Sequence, residues 1–212
     1  MLTIWLNYMV KKQIDVSTEE KILSAAKKVF ISRGMAGARM QDIADEAGIN
    51  KALLHYYFKN KEQLFENIFL KLTEGFWMQI TTVFESDDPL FEKIHAFCSL
   101  YIEKVIHNPY IPLFVLYELN QRTPRFVKTM FRNSPPRPAK LIQQIDAEVK
   151  AGNINPIDPH QLIMNMISLC VLPFIGKPMF MTVMKLDEKA FLDLMQQRKK
   201  AVPEFIINSI KK

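Results

Sequence analysis

The sequence predicts an all-α protein in which a small three-helix unit precedes a larger helical bundle. Three observations lead there. Apolar residues recur at helical spacing along most of the chain, and no segment shows the strict alternation of a half-buried strand. Helix start and stop residues stand at the ends of these periodic runs. The 212 residues contain only six glycines, too few for glycine-rich phosphate loops or a turn-dense β fold. No internal repeat is present, and about nine helices are expected.

The first element is STEEKILSAAKKVFISRG. Ser17 and Glu20 have capping-box spacing. Ile22, Leu23, Ala26, Val29 and Phe30 fall on one helical face, and Gly34 stands where a left-handed C-terminal cap needs no Cβ. MQDIADEAG follows as a short helix with Ile43, Ala44 and Ala47 on one side. Gly48 supplies a positive φ for the turn, and Asn50 is a competent N-cap for a third helix, KALLHYYF. Asn60 and Gln63 repeat the capping-box spacing ahead of a fourth helix, which carries Leu64, Phe65, Ile68, Phe69, Leu72 and Phe76 on its buried side. A small residue at Ala44, a turn glycine at Gly48 and a locking Leu54 meet the spacing of a helix-turn-helix.

Beyond residue 73 the pattern stays helical. PLFEKIHAFCSLYIEKVIH ends at Pro109. YIPLFVLYELNQR closes at Thr123-Pro124, RFVKTMF is short, and SPPRP must be a link. AKLIQQIDAEVKAG is amphipathic with a stop at Gly152. Asp158 and Pro159 read as N-cap and first turn of a long helix over about 158–173. A Met-rich link from Lys177 to Met184 leads to a last helix over about 187–210. The domain division expected is an extension over 1–16, a helix-turn-helix domain over 17–62 and a helical domain over 63–212.

Composition removes several function classes. At 49% hydrophobic and 24% charged residues, the chain is globular and not disordered. Two cysteines, Cys98 and Cys170, cannot build a disulfide framework or a four-thiolate zinc site. Both sit in apolar runs, which reads as buried, reduced thiols and a cytoplasmic setting. Four scattered histidines suggest no metal site, and nothing points to a cofactor. No run reaches the 18 or so apolar residues of a membrane span. The opening lacks a secretory leader, and Met9 is a possible alternative start to Met1. The net charge of +6 is divided between the first 72 residues and the last 60, with a neutral middle, which permits an acidic partner such as DNA without demanding one.

The segment GARMQDIADEAGINKALLHYYFKNKEQLFENIF resembles the N-terminal signature of the tetracycline-repressor-like (TetR) transcriptional regulators. Ala25-Ala26, Phe30, Ile43-Ala44, Ala47-Gly48-Ile49, Leu54, Phe58, Lys61-Glu62 and Leu64 fall at family spacing over roughly 17–70. Two departures stand out. Arg39 replaces the usual Thr or Ser at the start of the second helix. The usual Leu-Tyr-x-His-Phe becomes Leu54-His55-Tyr56-Tyr57-Phe58.

The resemblance implies a dimeric DNA-binding regulator, mostly a repressor in this family, released from a palindromic operator by a small apolar effector. Asn50, Lys51, Ala52, Leu53 and His55 would meet base edges in the major groove. Tyr56, Tyr57, Lys59 and Lys61, with Arg39 and Gln41, would grip phosphates. The last two long helices would form a four-helix bundle with those of a second copy. Phe97, Tyr101, Phe114, Tyr117, Met130, Met164 and Met166 are candidates for an effector cavity, with His95, Glu118 and Arg122 as polar handles. An all-α enzyme is disfavoured, because no nucleophile elbow, HExxH or P-loop occurs. A helical adaptor that keeps the motif without binding DNA is the other alternative, opened by the changes at Arg39 and His55.

Overall fold

The computed structural model describes residues 17–30, 32–33, 37–73, 75–109, 111–113, 115–116, 119–120, 131 and 138–212. The capping position at Gly34, the Met1 or Met9 question, and the sequence links around 121–137 lie outside them. The chain divides into two compact units, Met1–Leu72 and Thr73–Lys212.

In the first unit, α1 covers 17–30, and α2 (Met40–Ala47), α3 (Lys51–Tyr57) and α4 (Lys61–Thr73) follow. Ile22, Ala26, Ile43, Ala44, Leu54 and Leu64 have no accessible surface. The Phe30 and Phe65 rings meet edge to face at 4.8 Å, fixing α1 against α4. The sequence reading set the division at 62/63; the two compact units meet at 72/73. Leu64, Phe65, Ile68 and Phe69 of α4 are buried in the first unit's core, and a cut at 62 would expose them.

The second unit contains α5 (Phe76–Glu85), α6 (Leu90–His107), α7 (Ala139–Lys150), α8 (Pro159–Ile175), α9 (Lys177–Met184) and α10 (Glu188–Ile210). Its core joins α5, α6, α7, α8 and α10, with α6 and α10 packed along one another. Lys199 of α10 bonds Glu103 of α6 at 2.5 Å. Cys98 and Cys170 are fully buried free thiols. The lone bridge among the described residues pairs Ile154 with Lys211, so the all-α expectation holds.

Three boundaries differ from the sequence reading. Phe76 does not continue α4: Gly75 takes φ 73° and starts a new helix, α5, which the sequence pattern did not separate. The Met-rich segment from Lys177 to Met184 is a helix, α9, not a link. Pro178 stands in its first turn, where no intrahelical amide donor is needed, and Lys185 closes it in the left-handed region. The long helix does not stop at Pro173 but passes through it to Ile175. No single described helix is long and apolar enough to cross a membrane; α8 and α9 together hold enough apolar residues but are bent by 71°.

Candidate nucleic-acid interface

The first unit is shaped around the turn between α2 and α3. Gly48 has φ 65°, and two reversed bonds close α2: Gly48 N–H to the Asp45 carbonyl at 3.1 Å and Ile49 N–H to the Ala44 carbonyl at 3.0 Å. This is the Schellman closure that a glycine allows. Asn50 then opens α3, its Oδ1 accepting from the Leu53 amide at 2.8 Å. Leu54 is sealed in the core, while Lys51, Ala52, Leu53, His55 and Tyr56 are exposed. One face of a seven-residue helix is thus spent on packing and the other is left to solvent.

The supports of this face are polar. The Asp42 carboxylate accepts from the Arg39 amide at 3.2 Å and pairs with Arg33 at 2.8 Å. Asp42 thereby supplies the return arm of a capping box, satisfying the Arg39 amide, and the exposed Arg39 guanidinium enters no ion pair among the described residues. Gln41 bonds Asp45 at 2.8 Å, and Lys28 pairs with Glu46 at 3.0 Å. At the far end, Asn60 accepts from the Gln63 amide at 2.8 Å, and the Gln63 side chain accepts from the Lys59 amide at 3.0 Å. The capping box expected at Asn60 forms, displaced by one residue on its return arm.

The sequence-predicted contact residues therefore separate. Lys51, Ala52, Leu53, His55 and Tyr56 share the open side of α3, and Lys59 and Arg39 lie exposed at the ends of the motif. Tyr56 is 79% exposed and meets the half-buried Tyr57 edge to face at 5.4 Å. Asn50 has its carbonyl oxygen engaged in the cap, leaving its amide group. Lys61 is half-buried, and its Nζ donates to the Ala38 carbonyl at 3.1 Å, tying α4 to the entry of α2. The sequence assigned Lys61 to phosphate and gave no sign of this internal bond, because Ala38 is 23 residues away.

The second unit holds a cavity of about 350 Å³. Phe76 and Trp77 of α5, Tyr101, Lys104 and Val105 of α6, and Ile167, Val171 and Ile175 of α8 form its walls, with Ile111, Pro112, Val115, Leu116, Leu119 and Phe131. Of the effector candidates read from sequence, only Tyr101 lines it among the described residues. Phe97 is buried and stacked on Phe84 at 5.4 Å, Met166 is buried in the core, and Met164 is half exposed. Phe114, Tyr117 and Met130, with Glu118 and Arg122, lie outside the described residues. The wall of α8 was missed by a simple register error: Ile167 and Val171, one turn apart, face the cavity, while Met166 faces the core. Burial pushes the Tyr101 hydroxyl up to about 12, so it remains a neutral donor. Among the described residues no cluster of His, Cys, Asp or Glu could hold a metal ion.

Comparison with known proteins agrees with the geometry. A family model described as "Bacterial regulatory proteins, tetR family" matches residues 22–68. The chain is 29% identical over 154 residues to the HTH-type transcriptional regulator RutR of Escherichia coli K12, covering 72% of each chain. It is 39% identical over 59 residues, 28% of each chain, to the HTH-type transcriptional repressor NicS of Pseudomonas putida. In fold it is similar to the transcriptional regulator FadR of Bacillus subtilis solved with stearoyl-CoA, at a TM-score of 0.61 and 16% identity, over 89% of this chain and 97% of that one. The matched span contains the Gly48 turn, the Asn50 cap and the open face of α3, so residues 22–68 are similar to the bacterial regulatory proteins of the tetR family.

Proposed function

We propose that the protein is a dimeric repressor that leaves a palindromic operator when an apolar effector fills the cavity of the second unit. The open face of α3, with Leu54 packed beneath it and Lys51 at its first turn, carries this reading. A helix so displayed fits the major groove, where side chains near its N-terminus meet base edges. One such head reads few base pairs, and a second copy doubles the contact and imposes a two-fold site. Support for a dimer comes from apolar side chains left exposed on α8 and α10: Met164, Leu172, Leu192, Leu194 and Phe205.

The cavity supports the effector. Its walls are aromatic and aliphatic, and its size is within the range of small-molecule sites. A ligand releases DNA only if it binds the DNA-incompetent conformer more tightly than the competent one. A gel shift on the protein's own upstream region tests the reading. Retardation that weakens steeply with salt, and a dimeric mass by sedimentation at micromolar concentration, are expected. A monomer, or equal retardation of random duplex, contradicts it.

A further inference from the structure

The His55 ring is fixed in a way that constrains what it does on DNA. Its Nδ1 lies 3.2 Å from the Lys59 carbonyl oxygen. A carbonyl only accepts, so Nδ1 carries a hydrogen. The remaining nitrogen, Nε2, is an acceptor when the ring is neutral and a donor when the ring is charged. His55 stands in the last turn of α3, on the same exposed face as Lys51 and beside the exposed Lys59. The sequence reading set His55 at base edges; its place in the last turn assigns it instead to the sugar-phosphate backbone, because a reading helix meets bases near its N-terminus. Phosphate oxygens accept and never donate, so a neutral His55 pinned through Nδ1 would turn a lone pair toward them.

We propose that His55 contacts a DNA phosphate only as the imidazolium, so that each reading head takes up a proton when it binds. This rests on the DNA-binding role of α3. The cations on or beside α3 are Lys51 and Lys59. The carboxylates of α2 are engaged elsewhere: Asp42 with Arg33, Asp45 with Gln41 and Glu46 with Lys28. On α4, Lys61 is tied to the Ala38 carbonyl, and its neighbours there are Glu62 and Glu66. No ion pair to His55 forms among the described residues. Imidazole is the side-chain type that changes charge between about pH 5 and 8, and the contact is tested across the middle of that interval.

The test measures binding of the full-length protein to a fluorescein-labelled random-sequence 24-base-pair duplex at constant low ionic strength, from pH 8 to pH 6. Random duplex serves because a phosphate contact carries no sequence information. The wild-type affinity should rise more than that of His55→Gln over this interval, by about tenfold for each head engaged and so about a hundredfold when both are, the order of one charge-assisted contact per head. His55→Lys should bind at pH 8 as the wild type does at pH 6, with a flat profile. The other three histidines, His95, His107 and His160, belong to the second unit and are unchanged in both variants. Parallel pH profiles for wild type and His55→Gln, on DNA that is bound, overturn the proton coupling and leave the regulator standing. Absence of binding to any duplex at every pH overturns both.

Discussion

Arg198 donates through Nη2 to the Leu169 carbonyl at 2.6 Å. In an unbroken helix that carbonyl would accept from the amide of residue 173, and residue 173 is proline. A side chain of α10 thus supplies the donor that α8 lacks, which is how α8 runs on to Ile175. Burial lowers the Arg198 guanidinium from its ordinary value, and the paired carbonyl offsets that cost. Replacing Arg198 with Met is expected to lower stability by about 1–3 kcal/mol in urea denaturation. In a Pro173→Ala background the restored amide serves Leu169, and the loss should shrink by about 1 kcal/mol. Equal losses in the two backgrounds would show that the bond is not the cause.

Gly48 is required for its backbone and not for its lack of bulk. No atom lies within 4 Å of a Cβ built at Gly48, yet φ is 65°. Gly48→Ala should therefore cost about 1 kcal/mol by thermal denaturation, from conformational strain alone. Gly48→Asn should cost less, since Asn tolerates the left-handed region. A loss for alanine no greater than for asparagine would contradict this.

Much of the first unit was legible in the sequence because its determinants are local. Ala44, Gly48, Asn50 and Leu54 act within ten residues of one another, and each does in the structure what its chemistry requires. What was hidden is non-local. Arg198 meets Leu169 across 29 residues and Lys61 meets Ala38 across 23. The cavity was misjudged for a related reason. Choosing Met and aromatic residues by type placed Phe97 and Met166 in the ligand wall, but helix register, not residue type, decides which side chain faces a void. The end of α8 misled as well: the helix was expected to end near Pro173 and Lys177–Met184 to be a link, while Pro173 is mended by a distant arginine and Pro178 sits in the first turn of α9.

Lys51 and Lys59 are expected to behave differently on DNA. Lys51 opens α3, where the proposed function sets the base contacts, so Lys51→Ala should weaken specific binding by about 1–3 kcal/mol and spare random duplex. Lys59→Ala should weaken both alike and reduce the salt slope by about one unit. Paired anisotropy titrations on specific and random duplexes separate the two. Identical profiles for the two variants would remove the base-reading role of Lys51.

The cavity wall gives a separate handle. Val171→Trp should fill the space between α5, α6 and α8 at an overpacking cost of about 1–3 kcal/mol. It should abolish binding of an apolar fluorescent probe such as 1-anilinonaphthalene-8-sulfonate, which reports the 350 Å³ space, while DNA binding persists. Undiminished probe binding would place the apolar site elsewhere.

Acid should act on the α6–α10 contact. Lys199 holds the Glu103 carboxyl below its usual 4.5, chiefly by hydrogen bonding. The folded value is depressed, so the stabilisation is complete above the ordinary carboxylate value and is lost as pH falls through the lowered one. Wild-type stability should decline more steeply below pH 4.5 than that of Glu103→Gln. Parallel declines in acid denaturation curves would show the bond to be inconsequential in solution.

The decisive observation is genome-wide footprinting of the native protein beside Lys51→Ala. Discrete two-fold symmetric sites, occupied by the wild type and vacated by the variant, are the expected result. Uniform or absent protection by the wild type, or the same sites held equally by Lys51→Ala, would mean that the open face of α3 does not read DNA.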